Sequence, residues 1–259
     1  MSYIGSENTR LYYEVWGEGK QTILAFHGFG LDHEIFRDLV NFKVYSFDIP
    51  YHGKSHWADE EEALSIDWLK ENLPSLLEKE NIDDFSVLGF SIGSRMTQGL
   101  LKAFPEKISS VYWIAPDGVY QNFWFMLGTR FPGKQLYALG MFKMPGLLKL
   151  MARAGRSLRL IPESAYRIAI PQLEEPHRRE RAYRTWVVFR KMVFSAHSIQ
   201  LIQEEHQIPM QLFLGSRDRI IEPHKVRAKL KDIPLLNIHE LNANHFDLLD
   251  KSLKIINQE

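Results

Sequence analysis

The sequence predicts an α/β protein: a mostly parallel central sheet flanked by helices and interrupted by one helical insertion. Three observations carry this expectation. Short β-rich runs alternate with helical stretches in the first third of the 259-residue chain. A glycine-flanked serine sits where a strand runs directly into a helix. About eighty residues, 117–198, then break the alternation before it resumes.

In chain order, Leu11 to Trp16, Thr22 to Phe26, Lys43 to Asp48 and Phe85 to Leu88 are compact apolar runs that read as strands. Ser65 precedes Ile66, Leu69 and Leu73 at helical spacing, and a second helix runs from Ser91 to Phe104. Ile108 to Ala115 reads as the next strand. From Asp117 onward no segment reads as a strand, and Pro132, Gly133, Gly140, Pro145, Gly146, Gly155 and Pro162 divide it into short helices. A longer helix is expected over Glu180 to Phe194. Strands resume at Met210 to Gly215 and near Asn237 to Leu241, with a helix from Pro223 between them and a last helix after His245. The organisation expected is one core domain formed by 1–116 and 199–259, with 117–198 as a helical cap insertion.

Composition narrows the function classes. Apolar residues at 45% and charged residues at 25% are ordinary for a folded domain, and the length suits a single core. A formal net charge of zero gives the whole chain no general affinity for nucleic acid. The lack of cysteine removes disulfides, thiolate nucleophiles and thiolate metal sites, and fits a cytoplasmic location. The opening MSYIGSENTRLYYEVWGEG has no charged stretch followed by an apolar one, and no 18 apolar residues run uninterrupted, so neither export nor a transmembrane segment is expected.

The chemistry concentrates at Gly89-Phe90-Ser91-Ile92-Gly93. A serine on a sharp strand-to-helix turn is held clear of the sheet, and the flanking glycines let strand and helix approach without Cβ overlap. The same turn puts Ser91 at a helix N-terminus, where unpaired N–H groups favour a developing oxyanion. Upstream, Thr22 to Phe26 leads into His27-Gly28-Phe29-Gly30, a turn that can direct the Phe29 N–H inward. Phe29 and Ile92 are the candidate oxyanion-hole amides. Downstream, Asp218 follows the strand ending at Gly215, and His245 follows the strand ending at Leu241. Ligands of open α/β sheets bind at the C-terminal ends of the strands, so Ser91, Asp218 and His245 are the candidate nucleophile, orienting acid and general base. Asp117, after the strand that ends at Ala115, is the competing acid, and Glu222 reads as a charge at a helix start.

HGFG, DIPYHGKS, GFSIGS, GSRD and NANH occur in the order in which α/β-hydrolases carry their motifs, and the chain resembles that family over nearly all its length outside the insertion. Asp48 to Ser55 resembles the family turn D-x-P-G-H-G-x-S with Tyr51 in place of a glycine; Asp48, His52 and His27 read as structural. The resemblance implies a serine hydrolase that cleaves a carboxylic ester or thioester through an acyl-enzyme, with no cofactor and a small-molecule substrate. The alternatives it leaves open are a menaquinone-pathway-like lyase, to whose G-Y-S-M-G-G-R the segment through Arg95 is similar, a carbon-carbon bond hydrolase, a cofactor-free haloperoxidase, and a non-catalytic ligand receptor. His52 and His56 are four apart but share a loop with Gly53, which argues against a metal site, and no glycine-rich phosphate loop supports a nucleotide cofactor.

The insertion is basic: fourteen Lys and Arg stand against Asp117, Glu163, Glu174, Glu175 and Glu180 within 117–198, about nine charges positive. It also carries apolar bulk, including Phe125, Phe131, Tyr137, Phe142, Met144 and Trp186. Three roles are open: a solvated face over an ordinary core, an apolar acyl pocket whose cationic mouth favours anionic substrates, or peripheral docking on an anionic membrane.

Overall fold

A computed structural model of the chain describes residues 2–258 except 59–61, 121–122, 131 and 162. Phe131 and Pro162 therefore lie outside the described residues, and only the backbone is described at 123, 124, 164, 165 and 168. The chain forms two compact units, one of residues 1–59, 64–120 and 191–259, the other of residues 60–63 and 121–190.

The first unit is built on a nine-stranded sheet of β1 (Tyr3–Gly5), β2 (Thr9–Trp16), β3 (Thr22–Phe26), β4 (Lys43–Phe47), β5 (His56–Trp57), β6 (Phe85–Phe90), β7 (Ile108–Ile114), β8 (Met210–Gly215) and β9 (Leu236–Leu241). Spatial order is β1-β2-β4-β3-β6-β7-β8-β9, with β5 also on β2. Pairing is parallel from β4 through β9 and antiparallel only around β2. The helices are α1 (Ile66–Asn72), α2 (Pro74–Glu80), α3 (Ser94–Ala103), α4 (Phe123–Thr129), α5 (Gly133–Ala138), α6 (Pro145–Ser157), α7 (Glu163–Gln172), α8 (Pro176–Val188), α9 (Ala196–His206), α10 (Pro223–Leu230) and α11 (His245–Ile256). None of the described helices is long and apolar enough to cross a membrane.

Central strands are apolar on both faces because helices cover both: all six residues of β6 are buried. Edge strand β9 keeps Asn237 and Glu240 in solvent, which discourages further pairing. The second unit, α4 to α8, is helical throughout its described elements and packs aromatics together. Phe125 lies 5.7 Å from Trp186, and Tyr137 lies 5.4 Å from Tyr183, centroid to centroid. The long helix expected over Glu180 to Phe194 lies earlier, because Pro176 supplies an N1 residue that starts it at 176 and a 3-10 turn ends it after Val188.

The parallel strands point their C-terminal ends at a set of turns tied together by Asp48, which is wholly buried just after β4. Its Oδ1 accepts from the His33 amide at 2.8 Å and the His33 ring at 2.9 Å, and its Oδ2 accepts from the Lys54 amide at 2.8 Å. A Cβ on Gly53 would stand 2.0 Å from that carboxylate, so the turn needs glycine there. Tyr51, where the family motif has glycine, keeps the left-handed conformation with φ 64.

Burial pushes the Asp48 carboxyl up, but the His27 ring, the Lys54 and His33 amides and the His33 ring together hold it down at about 2. A carboxyl lowered on folding stabilises the fold above its unfolded value of about 3.9 and loses that contribution as pH falls towards 2. Urea unfolding at pH 7, 4 and 3 should therefore show an acid-side loss attributable to Asp48 that reaches about 1 kcal/mol by pH 3. Asp48→Asn should be less stable at pH 7 and flatter across that window; an unaltered acid slope in the variant contradicts the assignment.

Candidate active site

Ser91 follows β6 directly and adopts φ 52, a left-handed conformation that costs a non-glycine residue about 1–3 kcal/mol and persists only where the surroundings impose it. The surroundings are identifiable. A Cβ on Gly93 would stand 2.1 Å from the Phe26 carbonyl oxygen and 2.5 Å from that of His27, and one on Gly89 would stand 2.6 Å from the Ser94 Cα. Only glycines let the start of α3 lie this close to the ends of β3 and β6. Ser94 Oγ donates to the Gly89 carbonyl at 3.0 Å, and the Asp117 N–H donates to the Ser91 carbonyl at 3.1 Å.

The segment expected to be helical from Ser91 begins as a 3-10 turn, Ser91–Gly93, before α3 proper. Ser91 Oγ is 3.1 Å from His245 Nε2, and His245 Nδ1 is 2.7 Å from Asp218 Oδ2. With the carboxylate accepting from Nδ1–H, Nε2 carries the lone pair that can receive the serine proton. The other Asp218 oxygen accepts from the amides of Ile220 at 2.7 Å and Ile221 at 3.0 Å, so the carboxylate is fixed from both sides.

Backbone contacts bring the two turns together: Arg217 N–H donates to the Ala243 carbonyl at 3.0 Å, and a Cβ on Gly215 would stand 2.7 Å from that same oxygen. Asn244 caps α11 by accepting from the Phe246 and Asp247 amides, which sets His245 at the first helical position.

The turn carrying Phe29 lies against the elbow. A Cβ on Gly28 would meet the Phe90 ring at 2.9 Å and the Ser91 Cβ at 3.3 Å. His27 Nδ1–H donates to the Gly28 carbonyl at 2.7 Å, and the Gly30 N–H donates to His52 Nε2 at 3.0 Å while His52 Nδ1–H donates to Pro50 at 3.0 Å. His27 and His52 are thus occupied in shaping this turn. Phe29 follows Gly28 and Ile92 follows Ser91 in the turns that leave β3 and β6, two strands paired in parallel.

Asp117 pairs with Arg95, Nε to Oδ2 at 2.6 Å. Arg95 is 2% exposed and also donates to the Met192 carbonyl at 3.1 Å. The guanidinium behind the resemblance to the lyase motif is therefore committed inside the first unit. Glu222 stands at the N-cap of α10 and pairs with Lys225 at 2.7 Å.

Tyr120 escaped the sequence reading. Burial, together with the negative charges of Asp117, Glu222 and Asp218, pushes its phenol up to about 12, which keeps it protonated beside the acid of the relay. No local pattern marks Tyr120, since two of these charges come from the distant turn between β8 and α10. Among the described residues no group of three or more His, Asp or Glu could hold a metal ion.

Comparison with known proteins agrees with the fold. The family model described as alpha/beta hydrolase fold matches residues 21–252. An uncharacterized hydrolase of Saccharomyces cerevisiae is 22% identical over 253 residues, covering 92% of this chain and 87% of the yeast protein. A thermophilic esterase from Thermogutta terrifontis superposes with a TM-score of 0.69 at 16% identity, covering 99% of this chain and 94% of its own. A serine hydrolase from Cycloclasticus zankles, a polyaromatic-hydrocarbon-degrading bacterium, gives 0.65 at 17% identity with coverage of 99% and 94%.

The dependence of the elbow on Gly93 is directly measurable. Gly93→Ala drives a methyl into two backbone carbonyls and should destabilise the fold by about 2–4 kcal/mol in urea unfolding, because backbone cannot move aside as a side chain can. A variant as stable as the parent would show that the close approach is not real.

Proposed function

The chain belongs to the α/β-hydrolase fold family, and from that premise we propose that it is a serine hydrolase that cleaves a carboxylic ester or thioester. The single observation that supports this reading most is the unbroken relay from Ser91 Oγ through His245 to Asp218, at 3.1 and 2.7 Å, on a serine in a left-handed turn. A binding protein with no turnover has no use for a strained nucleophile aligned with a base and an acid.

In the proposed cycle Ser91 Oγ attacks the carbonyl carbon as His245 Nε2 takes its proton. The carbonyl oxygen becomes an oxyanion held by the amides of Phe29 and Ile92, an interaction of which each donor typically contributes about 10²- to 10³-fold in rate. Asp218 stabilises the imidazolium and keeps its Nδ1 proton in place. The tetrahedral species collapses, His245 protonates the departing alcohol or thiol, and an acyl-Ser91 ester remains. Water enters, gives a proton to His245, and attacks the acyl carbon; the carboxylic acid leaves and Ser91 regains its proton. The cycle needs no cofactor. The substrate expected for this hydrolase is a small molecule with an apolar acyl group.

Steady-state hydrolysis of p-nitrophenyl esters tests the assignment. Ser91→Ala, Asp218→Asn and His245→Ala should each lower kcat by about 10³-fold or more with unchanged circular dichroism. A nearly silent Asp218→Asn beside an inactive Asp117→Asn would move the acid to Asp117.

A further inference from the structure

Between Asp117 and Glu163 the chain contains no acidic residue and seven basic ones: Arg130, Lys134, Lys143, Lys149, Arg153, Arg156 and Arg159. Most of these cluster on and around α6. That helix has no buried residue along its 13 positions. Its half-buried side carries Leu148, which rests against Gly140, and Gly155, which meets Ile161; these contacts fix which face turns inward within the unit.

The outward face is not polar. Leu147, Leu150 and Met151 stand at i, i+3 and i+4, and Leu158 follows at i+11 from Leu147; they are between 46% and 69% exposed. A neighbouring stripe carries Lys149, Arg153 and Arg156 at i, i+4 and i+7, with Lys143 and Arg159 flanking the two ends of the helix. Arg156 pairs with Glu163 and lies over the Tyr166 ring, but among the described residues no ion pair is formed by Lys143, Lys149, Arg153 or Arg159.

Single exposed leucines are ordinary; a contiguous row on one helix face is not. A second copy seated on the row would set the cations on and around one α6 against those of the other. A surface that is both apolar and anionic resolves both features at once: leucine and methionine side chains enter the acyl boundary while the flanking cations meet headgroup charge.

We propose that α6 and its flanks, residues 143–160, are a peripheral docking surface for anionic lipid bilayers, with Leu147, Leu150, Met151 and Leu158 inserted and Lys143, Lys149, Arg153 and Arg159 on the headgroups. This site stands independently of the ester-cleaving reading, since it uses none of the residues of the Ser91 relay.

The test is co-sedimentation of the full chain with vesicles of phosphatidylcholine alone or with 30% phosphatidylglycerol. Each basic residue near an anionic surface contributes about 1 kcal/mol, roughly fivefold, so partitioning should be at least about 10-fold stronger on the anionic vesicles and should weaken in 0.5 M salt. Leu150→Gln with Met151→Gln should lower it by about 10-fold or more. Lys149→Gln with Arg153→Gln should lower it by about 10-fold on anionic vesicles and leave binding to neutral ones unchanged.

Leu150, Met151 and Arg153 are exposed and Lys149 is half-buried, and matched unfolding curves establish that the variants fold. Ser91→Ala should bind vesicles as the parent does, which separates failure of this proposal from failure of the ester-cleaving one. Three results would overturn it: no binding to either vesicle, equal binding to both, or self-association lost on changing Leu150 and Met151. Salt-sensitive kcat/KM for soluble anionic esters with no vesicle binding would instead assign the cations to substrate steering.

Discussion

The close approach of the α3 start to the end of β3 at Gly93 is the constraint on which the site rests. With the Gly93 Cα wedged between the carbonyls of Phe26 and His27, Ser91 has no room for an ordinary strand-to-helix transition and is held at φ 52. The cost of that conformation is offset by the packing of a sheet whose central strands are buried on both faces. Gly28 likewise lies against Phe90 and Ser91, so the turn after β3 and the turn after β6 are held together by close contact.

The remaining partners arrive from the far side of the elbow through a different device. Asp218 and His245 come from neighbouring strands, β8 and β9, whose C-terminal turns are joined by backbone bonds from Arg217 to Ala243 and from Ser216 to Leu241. Arg95 performs a related task one layer away. Buried in the first turn of α3, it holds Asp117 on one side and Met192 on the other, and Asp117 in turn donates its N–H to the Ser91 carbonyl. A guanidinium without such partners could not be buried there, because an unpaired buried charge costs several kcal/mol.

Much of the fold was legible because each central strand is a short apolar run closed by a glycine, proline or charged turn; β3 and β8 begin and end where those runs do. What escaped was short or context-dependent. β1 and β5 have three and two residues, too few to show alternation, and exist because β2 offers them partners. α2 follows α1 without a loop, with Pro74 as its first-turn residue, and was not separated from it in the sequence.

The elbow, HGFG, GSRD and NANH were legible because each encodes a local backbone requirement. The Arg95–Asp117 pair and the placement of Tyr120 were not, since both depend on turns distant in sequence. An arginine two residues past G-x-S-x-G was the one available hint that a carboxylate lies near.

The central claim is that Ser91 is a nucleophile primed by His245 and Asp218, and covalent labelling tests it most directly. Intact-mass and peptide mass spectrometry after brief exposure to a fluorophosphonate should show one adduct, on Ser91, none in Ser91→Ala, and labelling slowed about 10³-fold or more in His245→Ala. Labelling that spreads over other hydroxyls, or that proceeds at the parent rate without His245, would contradict the account.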